Sequence, residues 1–394
     1  MTLLVLNAGS SSLKYQLFDN GSETPRYRGL IDRIGTNQCH HSHTGLDDTP
    51  VSCEAADHAA ALQEVLARVG TGASDPALRI RAIGHRVVHG GEHFRCATRV
   101  DTSVESAIER LIPLAPLHNP GSLAVIRECR GLFPDAPQIA VFDTSFHQSL
   151  PERAWRYGVP DSLYRQHGVR RYGFHGISHG HVARCAAEHL GRSDLKLVSL
   201  HLGNGASAAA IDCGLGIDTS MGLTPLEGLV MGTRGGDMDP AVIFHLARGS
   251  GLDLAQLETL LTTGSGLKGL CGSADMREVL ARAENGDASA RLALELYTYR
   301  IRKYIGAYAA ALGGLDALVF TAGVGENAPQ VRAQVCAGLD FLSLRVDPAR
   351  NTAVKPGHLS PIHSRDSGVA VLVIPANEEL EIARQVRKLL EAKP

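Results

Sequence analysis

Two segments of this chain, far apart in sequence, repeat one design. Leu3-Leu4-Val5-Leu6-Asn7-Ala8 is an apolar strand that runs into the turn Gly9-Ser10-Ser11-Ser12, followed by Leu13 and Lys14. Leu197-Val198-Ser199-Leu200-His201-Leu202 leads likewise into Gly203-Asn204-Gly205-Ala206-Ser207 and back into the apolar run Ala208 to Ile211. A strand, a small-residue turn and a returning strand make a hairpin whose turn exposes backbone N–H groups and hydroxyls. Two such hairpins predict two related lobes, each presenting donors to an anion, with phosphate the natural ligand. The glycine spacing matches neither the Walker-type P-loop nor the dinucleotide fingerprint, so neither common glycine-loop nucleotide class fits.

At 394 residues the chain is too long for one core and fits two domains. A hydrophobic content of 44%, 20% charged residues and a formal net charge of −2 describe an ordinary globular protein with no electrostatic case for nucleic acid or an anionic membrane. No apolar run is long enough to span a membrane and no signal peptide opens the sequence, which predicts a cytoplasmic protein. The eight cysteines form no C-x-x-C pair, so no structural disulfide is expected. Cys39, His40, His41, His43 and Cys53 match no zinc spacing and read as part of a surface hairpin between Asp32 and Pro50.

Helical spacing runs from Ala55 to Val69, ending at Gly70, and buried strands are predicted at Ala82 to Val88 and Gln138 to Phe142. A boundary falls in the polar stretch Thr144 to Pro151. The expected domains are residues 1–147, with a closing helix (380–394) packed on them, and residues 148–379. Beyond the second hairpin come a long loop from Asp218 to Pro240, several helices including Ala288 to Leu312, the strand Ala317 to Phe320 and a last strand, Val369 to Ile374. This alternation predicts mixed α/β lobes with the ligand in the cleft between them.

Four features converge on phosphoryl transfer. The hairpins offer donors, and Lys14 adds a positive charge beside the first. Gly323-Val324-Gly325-Glu326-Asn327 follows a strand and opens a helix, so its backbone can approach a nucleotide closely. Arg86 and Arg234 lie in glycine-flanked segments, His85-Arg86-Val87-Val88-His89-Gly90-Gly91 and Gly232-Thr233-Arg234-Gly235-Gly236-Asp237. Asp143 ends a strand, while Asn7 and Glu378 lie at the two extremes of the chain. Plainer roles are open for each: a loop arginine as a solvated charge, Asp143 as a turn former, His175 as a buried ring bonded to backbone.

The two hairpin segments closely resemble the two signature motifs of the acetate kinase family. The Arg86 segment, Pro116-Leu117-His118-Asn119-Pro120, Phe142-Asp143-Thr144-Ser145-Phe146-His147, Asp218 to Pro240 and Asn377-Glu378-Glu379-Leu380 match in order, so the resemblance covers essentially the whole chain. It implies two duplicated ribonuclease-H-like lobes, the fold of acetate kinase, sugar kinases, Hsp70 and actin, with ATP between them and a homodimer formed through the C-terminal lobe. The implied reaction is reversible transfer of the ATP γ-phosphoryl group to acetate, giving acetyl phosphate and ADP.

By the same resemblance, Arg86 binds the acetate carboxylate, Arg234 and His175 stabilise the transferring phosphoryl group, and Asp143 is the catalytic aspartate, read here as orienting Arg86 or a metal-bound water. Asn7 and Glu378 match a site for Mg2+, with Mn2+ as an alternative. Nucleotide contacts carry over to Ser12 and Lys14, to His201, Leu202, Gly203, Asn204 and Gly205, to Asp275, Met276 and Arg277, and to Gly323, Val324, Gly325, Glu326 and Asn327. The substrate methyl is expected against Val88, Leu117, Phe174 and Pro225. Ala208, Ala322 and Gly235 depart from the family's commonest residues by small changes. The nearest alternatives are a propionate or butyrate kinase of the same family and, in another class, an actin- or Hsp70-like ATPase.

Overall fold

The structure, a computed structural model, describes residues 2–44, 50–69 and 80–392. It divides into two units, Met1–Phe146 with Asn377–Pro394, and His147–Ala376. Glu378 and Glu379 therefore fall in the first unit.

In that unit the strands are β1 (Thr2–Ala8), β2 (Ser12–Phe18), β3 (Tyr27–Asp32), β4 (His40–Thr44), β5 (Val51–Ser52), β6 (Ile80–Val87), β7 (Thr98–Arg99) and β8 (Gln138–Phe142). They form one sheet in the order β5-β4-β3-β2-β1-β6-β8-β7. β1 pairs antiparallel with β2 and parallel with β6, and all seven of its residues are buried. A strand buried on both faces needs a continuous apolar run, which Leu3 to Leu6 provide.

Strand alternation then sorts the side chains. Leu4, Leu6 and Ile83 join a core with Leu62, Val65, Val125 and Cys129 from the helices His58–Val69 and Asn119–Leu132. The stop expected at Gly70 lies outside the described residues. Val5 and Gly84 point to the other face, under the closing helix Glu378–Glu391. A methyl group on Gly84 would stand 2.9 Å from Ile382 Cγ2 and Val386 Cγ2, so this glycine sets how closely the helix approaches. By the same alternation Asn7 and Arg86 emerge on the helix side, at the strand ends.

The segment after Asp32 forms the expected hairpin pairing, β4 lying antiparallel to β3 and β5, but it is not all surface: His41 and His43 are buried with ring nitrogens bonded to the Tyr15 hydroxyl. Polar residues usually mark a surface, but these rings find a partner inside. Residues 45–49 of that segment lie outside the described residues.

The second unit holds β9 (Lys196–Leu202), β10 (Ala206–Asp212), β11 (Leu215–Thr219), β12 (Ala317–Thr321), β13 (Ser360–Pro361) and β14 (Ala370–Val373), ordered β11-β10-β9-β12-β14-β13. β9 pairs antiparallel with β10 and parallel with β12, which pairs parallel with β14. The run β3-β2-β1-β6-β8 of the first unit thus recurs as β11-β10-β9-β12-β14, the duplication announced by the two hairpins. The helix Ala288–Leu312 packs along this sheet. It buries Ala290, Ala293, Leu294, Tyr297, Ile301, Ile305 and Tyr308 at helical spacing, starts at an Asp287 cap and ends at the left-handed Gly313.

Candidate active site

In the first unit the strand ends gather Asn7, Arg86 and Asp143 with Glu378 at the start of the closing helix. Arg86 donates from Nε to Asp143 Oδ1 at 3.0 Å and from Nη2 to Asp143 Oδ2 at 2.5 Å, a two-point pairing of guanidinium and carboxylate. Its Nη1 donates to Asn7 Oδ1 at 3.0 Å, and Glu378 Oε2 lies 3.9 Å from Nε. Asn7 Nδ2 in turn donates to Glu379 Oε1 at 2.9 Å, so both ends of the amide are engaged and its oxygen keeps one further lone pair.

The electrostatics follow from this crowding. Burial alone would weaken the Arg86 proton, but Asp143, Glu378 and Glu379 outweigh it and the guanidinium is held firmly charged. Burial, reinforced by Asp143 and Glu379 and opposed by Arg86, pushes the Glu378 carboxyl above the usual range. Ser12 opens β2, and Lys14 and Glu379 line one groove of about 230 Å³. Val88 is buried, whereas Leu117 is 60% exposed.

In the second unit, His175 and His201 stack with ring centroids 4.0 Å apart and planes 15° from parallel. His175 precedes the helix Gly176–Leu190 with a φ of 56°, a left-handed conformation unusual for a side chain of its size. A methyl group on Gly205 would stand 3.0 Å from Arg234 Nη2 and 3.5 Å from His175 Nε2, so both cationic or donor side chains border the space above that glycine. Arg234 Nη1 is anchored on Pro225 O at 2.9 Å, and burial lowers the Arg234 pKa. Phe174 is buried and Pro225 half-buried.

The hairpin turn closes through Gly203 N donating to Gly205 O at 3.0 Å, and Gly232 N donates to Asn204 O at 3.0 Å. Leu202 ends β9 beside it. A methyl group on Gly203 would lie 3.9 Å from Ala322 Cβ, which places the hairpin turn next to the start of the helix Ala322–Asn327. Ala322 itself has a φ of 65°. Within that helix Asn327 Nδ2 donates to Gly323 O, and Glu326 Oε1 accepts from Ala376 N, both at 2.9 Å. Asp275 caps the helix Met276–Glu284 and pairs with the exposed Arg277, while Met276 is buried.

Four residues were given no role by the sequence reading. Glu379 fixes the Asn7 amide. Arg332, buried at 1% exposure, donates to Gly325 O and Glu326 O and to Asn351, bracing the glycine segment from behind. Ser207 and His179 hold the His175 ring. Glu379 and Ser207 lie within motifs that carry the resemblance, whereas no motif marked Arg332 or His179.

The repeated sheet topology, with an arginine–carboxylate cluster in one unit and paired histidines beside an arginine in the other, defines a duplicated α/β protein of the ribonuclease-H-like kind equipped to handle anions. The sequence profile of the Acetokinase family matches residues 2–384. An acetate kinase from Streptomyces avermitilis is 54% identical, covering 98% of this chain and 97% of its own. The crystal structure of an acetate kinase from Porphyromonas gingivalis superposes with a TM-score of 0.91 at 40% identity, covering 99% of this chain and 100% of its own. That of a propionate kinase from Francisella tularensis gives 0.91 at 38%, covering 98% of each. The chain belongs to the Acetokinase family.

Proposed function

We propose that this protein is an acetate kinase, a phosphotransferase with a carboxyl group as acceptor, which moves the γ-phosphoryl group of ATP to acetate and back. The observation that carries the reading is the near-full-length match, at 54% identity, to an acetate kinase.

Acetate and a triphosphate repel each other, so catalysis must come from positioning and charge neutralisation. Arg86 is the group for the acetate carboxylate, and Asp143 and Asn7 hold its guanidinium in one orientation. Both Asp143 oxygens are engaged by Arg86, and acetate is ionised at neutral pH because carboxylic acids titrate near ~4. Asp143 is therefore an orienting residue and has no proton to remove. Arg234 and His175, converging above Gly205, take the equatorial oxygens of the phosphoryl group as its charge spreads in an in-line transfer. The turn His201–Gly205, Ser12, Lys14, Asp275–Arg277 and Gly323–Asn327 contact the nucleotide. Val88, Leu117, Phe174 and Pro225 face the substrate methyl.

A divalent cation accompanies ATP chemistry in this family, and we assign Mg2+, with Mn2+ as an alternative. The donors fit: the Glu378 carboxylate and the lone pair of Asn7 Oδ1 not taken by Arg86 would offer oxygen, as a hard cation requires, with phosphate and water completing the shell. When bound, the cation neutralises phosphate charge.

A homodimer through the second unit is supported by exposed Met238, Val242, Phe244, Leu254, Leu260 and Leu270. All eight cysteines are free, in keeping with a reducing cytoplasm; among the described residues no helix is long and apolar enough to cross a membrane.

Phosphorus NMR with magnesium-ATP and either acetate or propionate tests the reading. An acyl-phosphate resonance that grows with ADP, faster with acetate than propionate, is expected, since one methylene is worth about 1–3 kcal/mol in such a pocket. ATP loss to free phosphate, indifferent to either acid, refutes it.

A further inference from the structure

Behind His175 runs a chain of four side chains. His175 Nδ1 lies 2.9 Å from Ser207 Oγ, Ser207 Oγ lies 2.8 Å from His179 Nε2, and His179 Nδ1 lies 2.9 Å from Ser199 Oγ. Ser207, His179 and Ser199 are fully buried. They sit on β10, the helix Gly176–Leu190 and β9, so three elements of one unit fix the line.

Each hydroxyl has one proton to give, and burial, with His147 and His201 nearby, keeps His179 neutral with a single N–H. The protons can therefore order in only two ways, toward His175 or away from it. Ser199 decides between them. Among the described residues the only hydrogen-bond partner of its buried hydroxyl is His179 Nδ1, so if that nitrogen carried the proton, the hydroxyl hydrogen would be buried unmade at a cost of about 1–3 kcal/mol. Ser199 must donate. His179 then carries its proton on Nε2 and gives it to Ser207, and Ser207 donates to His175 Nδ1.

From this order we infer that Ser199, His179 and Ser207 are positioning residues that lock His175 as the neutral tautomer with its proton on Nε2. That nitrogen is the one bordering the space above Gly205, next to Arg234 Nη2. The lock gives His175 a hydrogen-bond donor aimed at the anion site without requiring an imidazolium. In the opposite order a neutral His175 would present a lone pair to a phosphoryl oxygen and repel it. The catalytic consequence rests on the acetate kinase reading, whereas the tautomer does not.

The test is nitrogen NMR of the whole protein labelled at histidine, with His175→Gln used to assign the His175 signals, alongside steady-state kinetics. At neutral to mildly alkaline pH the His175 ring is expected neutral, with Nε2 protonated and Nδ1 bare. Ser199→Ala removes the donor that sets the order without touching the ring, so the two His175 tautomers should mix. The kcat for acetyl phosphate formation should fall about tenfold, with KM for ATP and acetate within about twofold. Ser199→Thr, which keeps the hydroxyl, should restore both the spectrum and the rate. A proton on His175 Nδ1 in the wild-type protein overturns the inference whether or not the variants fold. So does a Ser199→Ala protein that folds and keeps both tautomer and rate. A wild-type protein with the expected tautomer that makes no acyl phosphate would refute the reaction and leave the proton order standing.

Discussion

Arg86 shows how a single charge with little contact to solvent is made useful. A guanidinium in a low-dielectric site is stable only if carboxylates surround it, and here Asp143 takes two of its N–H groups, Asn7 takes another and Glu378 stands nearby. Asp143→Asn removes the charge partner and places an amide N–H against one of the two donors. The expected outcome is a fall of about a hundredfold in kcat/KM for acetate, because misorientation of a positioning group is costly; initial-rate kinetics check it, and wild-type kcat/KM would refute the orienting role. A second residue-scale effect concerns protons. Burial depresses His85 and His89 to about 4, below the unfolded value. The unfolded chain thus binds more protons between about pH 6.5 and pH 4, and stability must fall as pH drops through that window, by on the order of 3 kcal/mol per ring. Denaturant melts at steps of pH across the window measure it. Arg86 and Asp143 were legible as candidates because glycines and strand ends flank them. The contacts of Glu379, Ser207 and His179 were not, since a hydrogen bond spanning 372 residues from Asn7 to Glu379, or 28 to 32 from Ser207 to the two histidines, leaves no local pattern.

Among the elements, the closing helix depends on the absence of one side chain. Gly84 lies beneath Ile382 and Val386, and adding a methyl there brings atoms to 2.9 Å, inside contact distance. Gly84→Ala should destabilise the protein by about 1–3 kcal/mol through overpacking. It should also shift Glu378 away from Arg86 and lower kcat more than the stability loss alone explains, as thermal melts set beside activity well below the transition will show. Periodicity revealed the helices well, and Ala288–Leu312 emerged with the expected ends because an Asp cap and a glycine stop punctuate it. It failed at β4, where histidines facing Tyr15 look like surface residues.

For the whole molecule, the repeated five-strand order was foreshadowed by two hairpins alone, because a hairpin turn between apolar strands is a local event that sequence encodes directly. The exposure of the apolar residues between Met238 and Leu270 is a property of the folded surface and left no mark in the sequence pattern. If they close a homodimer, Phe244→Asp together with Leu254→Asp should yield a monomer by light scattering, with the fold retained by circular dichroism; a dimer that survives places the interface elsewhere.

The first unit joins residues 1–146 to residues 377–394, and the second is strung between them. Translation therefore delivers Asn7, Arg86 and Asp143 early and Glu378 almost last. While the ribosome is still reading the second unit, the first lacks the helix that covers Val5 and Gly84, and its sheet waits with one face bare. The last codons of the chain are thus the ones that close the first unit, because only the helix they encode covers Val5 and Gly84.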